Sequence, residues 1–240
     1  MELFFHPEIY EDTSVVRFDA TERHHLTKVF RKKEGDPVVV TNGKGLEWKG
    51  VLSSIQRNHV EAKKEECIQH EVPKNQLHIA IAPPKNNTRL EWFLEKSIEI
   101  GIDSIHLICC QRSERKRVNL ERLHKIMISA IKQSKQFYLP QLHPIVSFNA
   151  FMETLPKPAF IAHCQDQSKR HLSQFSFTEP HTTVLIGPEG DFTPEEINTA
   201  TEKGVSAVSL GNTILRTETA GLAACLTVRL GQYRILLENN

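Results

Sequence analysis

The chain has 240 residues, of which 39% are hydrophobic, so it is long enough for one large domain or two smaller domains with buried cores. Its formal net charge of +1 excludes a histone-like polycation, and any nucleic-acid surface must therefore be a local basic patch. It shows no signal peptide and no apolar run that could span a bilayer. The five cysteines form no CxxC pair, which predicts free thiols in a reducing cytoplasm. Those at Cys109, Cys164 and Cys225 lie in apolar segments and are expected to be buried.

Residues 1–72 have the pattern of short strands and turns. A β-branched run ends at Asn42-Gly43, which is a strong hairpin signal, and apolar alternation continues as far as Val60. One helix is expected in this region, with Thr21 as its N-cap and Gly35 just past its end. The sequence therefore predicts a small N-terminal β-barrel or β-sandwich.

A different rhythm begins after a linker at 71–76, where strands alternate with helices. This alternation predicts an α/β domain with a parallel sheet. Its first helix is expected to open with a capping box of Thr88 and Glu91 and to stop at Gly101.

Two glycine-rich stretches follow strands of this domain, "VLIGPEGDFTPEEI" at 184–197 and "LGNTILRTETAG" at 210–221. In open α/β sheets, ligands bind beyond the carboxyl ends of the strands. Thr193 is expected to cap the helix after the first stretch, in a capping box with Glu196, and Thr217 or Thr219 the helix after the second. Neither stretch has the GxxxxGK[ST] or GxGxxG pattern, which argues against a P-loop ATPase and a Rossmann-type enzyme. Ordinary strand-to-helix connections remain the alternative.

These stretches resemble the paired signature loops of the bacterial 16S ribosomal RNA uridine-N3 methyltransferases (RsmE), members of the SPOUT or α/β-knot superfamily. The resemblance covers nearly the whole chain, including "HHLTKVFRKKEGDPVVVTNGKG" and "RLEWFLEKSIEIGIDSIHLICCQRSERK". It implies a PUA-like RNA-binding barrel over 1–72 and a SPOUT methyltransferase domain with a C-terminal trefoil knot over 73–240. It also implies S-adenosyl-L-methionine as cofactor, a homodimer, and 16S ribosomal RNA or the small ribosomal subunit as partner.

Carried over residue by residue, the resemblance predicts which side chains and backbone segments line the cofactor. On one side these are Ile186, Gly187, Glu189 and Gly190, and on the other Leu210, Gly211, Asn212, Ile214 and Leu215. Glycine at such positions lets the backbone approach a flat adenine ring closely.

The chain departs from the family pattern at several positions. Asp191 stands where the family usually has a second glycine, and a carboxylate there is expected either to cap the next helix or to alter the loop. Lys132 and Lys135 stand where glutamate and arginine are more common, so no role is carried over to them. Gly221, inside the last helix, either permits tight helix packing or is a mildly destabilising glycine.

The expected reaction places a methyl group on a uracil nitrogen that carries a proton. Arg216 cannot act as the base, because guanidinium stays protonated, but it can stabilise a uracil anion or hold a phosphate. Glu218 is the candidate base or orienting carboxylate, with a helix-dipole role as the alternative. No metal is expected, because methyl transfer from a sulfonium needs no Lewis acid. His163, at a strand end, is expected to have a satisfied side chain, with contact to the cofactor as the alternative.

Two runs of basic residues are the candidate RNA contacts, with solvated surface as the alternative. They include Lys28, Arg31, Lys32, Lys33, Arg112 and Arg115. Two other functions stay open. One is a different SPOUT reaction, such as 2′-O-ribose or guanine methylation, and the other is a non-catalytic RNA-binding protein of ribosome assembly.

Overall fold

The computed structural model describes residues 2–165 and 168–238 of the chain. It divides into two compact units, one drawn from Met1–Val72 with Ile128–Leu139, the other from Pro73–Met127 with Pro140–Asn240. The segment Ile128–Leu139 groups with the first unit, although the sequence division places it in the second.

The first unit is built on five strands and one short helix. The strands are β1 (Leu3–Phe5), β2 (Val15–Arg17), β3 (Pro37–Thr41), β4 (Leu46–Gln56) and β5 (His59–Gln69). They pair in the order β1-β3-β4-β5-β2, and the predicted hairpin is confirmed as the antiparallel pair β3–β4. Gly43 and Gly45 take positive φ angles of 73° and 90° in its connection. The core of this unit centres on Trp48, which is fully buried and donates its indole N–H to Thr13 O at 2.8 Å.

The predicted helix of this unit is shorter than expected and starts earlier. Helix α1 (Ala20–His24) has Asp19 as its N-cap rather than Thr21, because the Asp19 carboxylate accepts Glu22 N–H at 2.8 Å. The helix continues as a π-helical turn, His25–Val29. It ends well before Gly35, because Arg31 takes a left-handed φ of 53°.

The second unit contains a seven-stranded parallel sheet with helices between its strands, which confirms the predicted α/β class. In chain order, the elements after β5 are β6 (Gln76–Ile81), α2 (Asn87–Ile100), β7 (Ser104–Cys109), α3 (Leu120–Ser134), β8 (Gln141–Ser147), α4 (Phe148–Glu153), β9 (Ala159–Ala162), β10 (Arg170–His171), β11 (His181–Ile186), α5 (Pro194–Glu202), β12 (Ser206–Ser209) and α6 (Thr217–Glu238). The strand order is β10-β12-β9-β11-β6-β7-β8, and all six pairings are parallel. All strands therefore end at one edge of the sheet, a connectivity consistent with the expected knot.

Two of the predicted helix boundaries are confirmed and one cap is wrong. Helix α2 is capped by Asn86 rather than Thr88, since the Asn86 side chain accepts Thr88 N–H at 2.8 Å. Gly101 ends this helix in a left-handed conformation, with φ 100°. Thr193 and Glu196 form the predicted capping box of α5.

Both faces of the parallel sheet are covered, as buried parallel strands require. On one face Ala80, Ile161 and Leu185 pack with Phe151 of α4 and Ile197 of α5 in a common core cluster. On the other, α6 packs against α2 and β6. The side chains on the two faces of the sheet are therefore buried, and the loops at the strand ends are where side chains can take part in chemistry.

The five cysteines are free thiols. Cys225 is buried as expected, but Cys109 is only half-buried and Cys164 is exposed, because it lies in the loop beyond the last residue of β9. Within residues 2–165 and 168–238 no helix is both long and apolar enough to cross a membrane. The same residues include no group of three or more His, Cys, Asp and Glu side chains that could hold a metal ion.

Candidate active site at the carboxyl edge of the sheet

The two glycine-rich loops leave the sheet on either side of the same strand. Ile186 of β11 and Val208 of β12 both pair with Ala162 of β9. The two loops therefore begin two strand spacings apart, roughly 9.5 Å, with His163 at the end of β9 between them. Such a position, beyond the carboxyl ends of neighbouring parallel strands, is where α/β proteins bind ligands.

The loop after β11 is held at almost every residue. Thr217, the first residue of α6, donates its hydroxyl to Gly187 O at 3.1 Å, so it holds this loop rather than capping its own helix. The carboxylate of Glu189 accepts Lys85 N–H at 3.0 Å. Gly187 is tightly enclosed, since a Cβ there would come within 3.0 Å of the Phe192 ring.

Arg112 and Arg115, two of the predicted RNA contacts, are occupied in fixing these loops. Arg112 donates to Gly190 O at 2.8 Å, and its stem would touch a Cβ at Gly190. Arg115 donates to Pro84 O at 2.8 Å and also to Lys85 O and the Asn87 side chain. Their guanidinium groups therefore order the backbone around the site.

The loop after β12 is open by comparison. Leu210 and Leu215 are half-buried, whereas Gly211, Asn212, Ile214 and Arg216 are exposed, Ile214 by 86%. Gly211 has a φ of 143°, and no atom lies within 4 Å of the Cβ that another residue would carry there. Among the described residues the Arg216 guanidinium has no hydrogen-bond or ion-pair partner. One wall of the site is thus fixed and the other exposed.

Glu218 is buried in the first turn of α6, with 7% of its surface exposed. One carboxylate oxygen lies 3.5 Å from Arg89 Nε, and the other, Oε2, is buried without a hydrogen-bond partner in the described chain. Arg89 was not predicted from the sequence, because nothing in its position in the first turn of α2 marks it as facing α6. A buried, half-satisfied carboxylate is unusual in a folded protein and is typical of a functional site.

His163 differs from its expected satisfied state at one ring nitrogen. Lys169 Nζ lies 3.3 Å from His163 Nδ1 and also donates to His163 O at 2.8 Å. Nε2 is buried and has no partner among the described residues. Burial, and to a lesser extent the Lys169 charge, lowers the pKa of His163, so the imidazole is neutral at pH 7. Because an ammonium group can only donate, Nδ1 accepts and the ring proton is on Nε2.

Together these groups fit a ligand that has a flat ring and several polar atoms. No atom lies within 4 Å of a Cβ at Gly211, so the backbone there allows close approach of a ligand, and Leu210 and Leu215 offer apolar surface. The two buried unpartnered atoms, His163 Nε2 and Glu218 Oε2, leave one donor and one acceptor at this edge.

The basic run of the first unit remains available to solvent, apart from one residue. Lys28, Arg31 and Lys33 are exposed, and their side chains have no charged partner among the described residues. Lys32 is instead paired with Glu2 at 3.1 Å and donates to Pro37 O at 3.2 Å. Val29 and Phe30, 57% and 43% exposed, add apolar surface to this patch.

Comparison with known proteins agrees with this geometry. A family model described as an RNA methyltransferase domain matches residues 70–229, and one described as an RNA methyltransferase PUA domain matches 18–65. Ribosomal RNA small subunit methyltransferase E of Synechocystis sp. is 30% identical over 94% of this chain and 75% of its own length.

Two solved structures are also similar to the chain. A probable rRNA-methyltransferase of Porphyromonas gingivalis superimposes with a TM-score of 0.91 and 34% identity, over 98% of this chain and 100% of its own. A ribosomal RNA small subunit methyltransferase E of Neisseria gonorrhoeae, bound to S-adenosyl methionine, superimposes with a TM-score of 0.83 and 28% identity, over 96% and 97%.

Proposed function

The chain belongs to the RNA methyltransferase family that includes the small-subunit ribosomal RNA methyltransferases E, and from this premise we propose that it methylates N3 of a uridine in 16S ribosomal RNA with S-adenosylmethionine as cofactor. The single observation that carries the proposal is the edge where β11, β9 and β12 end. Two glycine-containing loops flank His163 there, and two buried polar atoms lack partners.

The cofactor would lie between the two loops. Ile186, Gly187 and Gly190 would contribute one wall, and the segment 210–215 the other. Bound S-adenosylmethionine supplies an electrophilic methyl group on its sulfonium. Glu189 would act on this site through the backbone, since its carboxylate already accepts Lys85 N–H and so fixes the turn of the loop.

Arg216 is the residue that we assign to the substrate. Its guanidinium is exposed and unpaired in the described chain, so it is free to hold a uracil oxygen or a phosphate. Removal of the N3 proton leaves negative charge on the uracil ring, and a fixed cation stabilises that charge as it develops.

Glu218 is the residue that we assign as the acceptor of the N3 proton. Its Oε2 has no partner, while its other oxygen is held near Arg89, so the carboxylate is oriented with one acceptor position free.

RNA contact outside the catalytic edge is assigned to Lys28, Arg31 and Lys33, which are exposed and free of partners in the described residues. Cations of this kind neutralise phosphates and give salt-dependent affinity without base recognition. Lys32 is left out of the assignment because it is tied to Glu2 and Pro37.

The chain is further proposed to act as a homodimer. Helix α6 carries an exposed apolar stripe at spacings of four, three and four residues, which lie on one helical face. The stripe consists of Leu226, Leu230, Tyr233 and Leu237, exposed by 47%, 58%, 54% and 79%. Such an exposed apolar surface favours burial against a second copy, and light scattering after gel filtration would measure the mass.

Mass spectrometry of 16S ribosomal RNA from a deletion strain tests the reaction. We expect one uridine to lose its N3-methyl group, and the wild-type chain, but not Arg216→Ala, to restore it. Loss of a ribose or guanine methyl group would establish a different SPOUT reaction. An unchanged RNA, together with no uptake of S-adenosylmethionine in calorimetry, would leave a non-catalytic assembly protein.

A further inference from the structure

Asp191 lies in the loop after β11, three residues before α5 begins, in a conformation that is uncommon for residues other than glycine. Its φ is 62°, in the left-handed region, and its N–H donates to Pro188 O at 2.9 Å. Aspartate tolerates this region better than most residues, yet glycine adopts it more readily. The side chain must therefore supply something that the backbone alone does not require.

The Asp191 carboxylate joins this loop to the end of the neighbouring strand. Oδ2 accepts Cys164 N–H at 2.9 Å, and Oδ1 accepts Phe192 N–H at 2.9 Å. Cys164 lies beyond the last residue of β9, and the β9–β11 ladder ends at the pair Ala162–Ile186. The carboxylate thus continues the connection between the two strand ends after the ladder hydrogen bonds have stopped. Hydrogen bonds to an ionised acceptor are stronger than neutral ones.

The hydrogen bond between Asp191 and Cys164 also positions the part of the candidate site that lies at the end of β9. His163 lies between the ladder pair and Cys164, so its place relative to Gly187 depends on how the two strand ends are tied. Arg112 holds the loop from the opposite side through Gly190 O. Without the carboxylate, the loop would lose its hydrogen bond to Cys164 N–H at the end of β9, whereas the hydrogen bond from Arg112 to Gly190 O would remain.

We propose that Asp191 is a positioning residue of this site, which locks the loop after β11 to the end of β9 and so preorganises it for S-adenosylmethionine. The inference rests on the proposed function, because it assumes that this loop binds the cofactor. A loop that is ordered for only part of the time binds its ligand more weakly by that fraction, while the bound complex is little changed. The expected signature is a change in cofactor affinity rather than in turnover.

The test compares the wild type with Asp191→Gly and Asp191→Asn by calorimetry with S-adenosylmethionine and by steady-state kinetics. Glycine suits the positive φ, so Asp191→Gly removes the carboxylate without adding strain. We expect its Kd and KM for S-adenosylmethionine to rise on the order of tenfold, with kcat within about twofold of wild type. Asp191→Asn keeps a neutral acceptor, so its Kd and KM for S-adenosylmethionine are expected to lie between those of the wild type and Asp191→Gly.

A matched control is Asp36→Asn in the first unit, whose carboxylate likewise accepts a backbone N–H, that of Lys33 at 2.7 Å. Its Kd for S-adenosylmethionine should equal that of the wild type. Hydrogen exchange gives a direct readout, since the Cys164 amide should exchange faster in both Asp191 variants.

Unchanged affinity in Asp191→Gly, or a fall in kcat with KM constant, would overturn the proposal. If Asp191→Gly does not fold, Asp191→Asn decides, and wild-type affinity with wild-type exchange at Cys164 would overturn it. Failure of the wild-type chain itself to take up S-adenosylmethionine would instead refute the proposed function.

Discussion

Replacement of Gly221 by alanine should destabilise the protein, although alanine is the better helix former. Gly221 lies in α6 where this helix packs on α2 and β6. A Cβ at this position would come within 2.6 Å of Phe93 Cε2 and 3.3 Å of Ile81 Cδ1. Carbon atoms pack best at roughly 3.5–4.0 Å, so the overlap with the Phe93 ring is about 1 Å.

Two opposing effects set the change in the free energy of unfolding for Gly221→Ala. Alanine gains about 1 kcal/mol in helix propensity over glycine, whereas an extra methyl group in a packed core costs about 1–3 kcal/mol. Because Phe93 and Ile81 are both fully buried, neither can turn into solvent to relieve the contact. We therefore expect a net loss of about 1 kcal/mol, or a fall in Tm of about 2–4 °C for a chain of this size.

Thermal unfolding followed by circular dichroism measures the change. Thr219→Ala is the matched control, since Thr219 is exposed in the same helix and its replacement reports propensity alone. In a Phe93→Leu background, the cost of Gly221→Ala should shrink, because the clashing ring is gone. A rise in Tm for Gly221→Ala, equal to that of the control, would refute the packing argument.

Three further predictions concern the reaction, the RNA surface and acid stability. Arg216→Ala should lower kcat about 10²-fold while the Kd for S-adenosylmethionine stays constant, and an unaltered methylation rate would remove its assignment. Replacing Lys28, Arg31 and Lys33 together by alanine should weaken RNA binding and flatten its salt dependence, measured by filter binding, without affecting cofactor affinity. His106, stacked on a neighbouring histidine at 4.1 Å, has a pKa lowered to about 3, mainly by burial. Its unfolded form takes up a proton below pH 6.5 before the folded form does, so stability falls between about pH 6.5 and 3, and His106→Phe should make Tm less sensitive to pH there.

The local signals of this sequence were sufficient for the α/β class and for several element boundaries. Gly101 ends α2 because only a residue free of a Cβ accepts its left-handed angle easily, and Thr193, Pro194 and Glu196 define the start of α5 through contacts within four residues. Where two nearby residues could each cap a helix, the N-cap predicted from the sequence was wrong. Asp19 and Asn86 took the caps expected of Thr21 and Thr88, since a boundary depends on which side chain reaches the free N–H groups.

The signature loops, and the residues Arg216 and Glu218 within them, were therefore determined by the sequence, because loop composition is a local property. The partners of these residues were decided only by the tertiary structure. The pairing of β9 with both β11 and β12 brings His163 between the loops, and the packing of α6 on α2 brings Glu218 next to Arg89. Other long-range contacts occupy Arg112 and Arg115, which donate to backbone carbonyls far away in the sequence, whereas Lys32 donates to the nearby Pro37 O and pairs with Glu2. A basic residue has the same local signal in both roles, and only the fold determines whether a carbonyl lies within its reach.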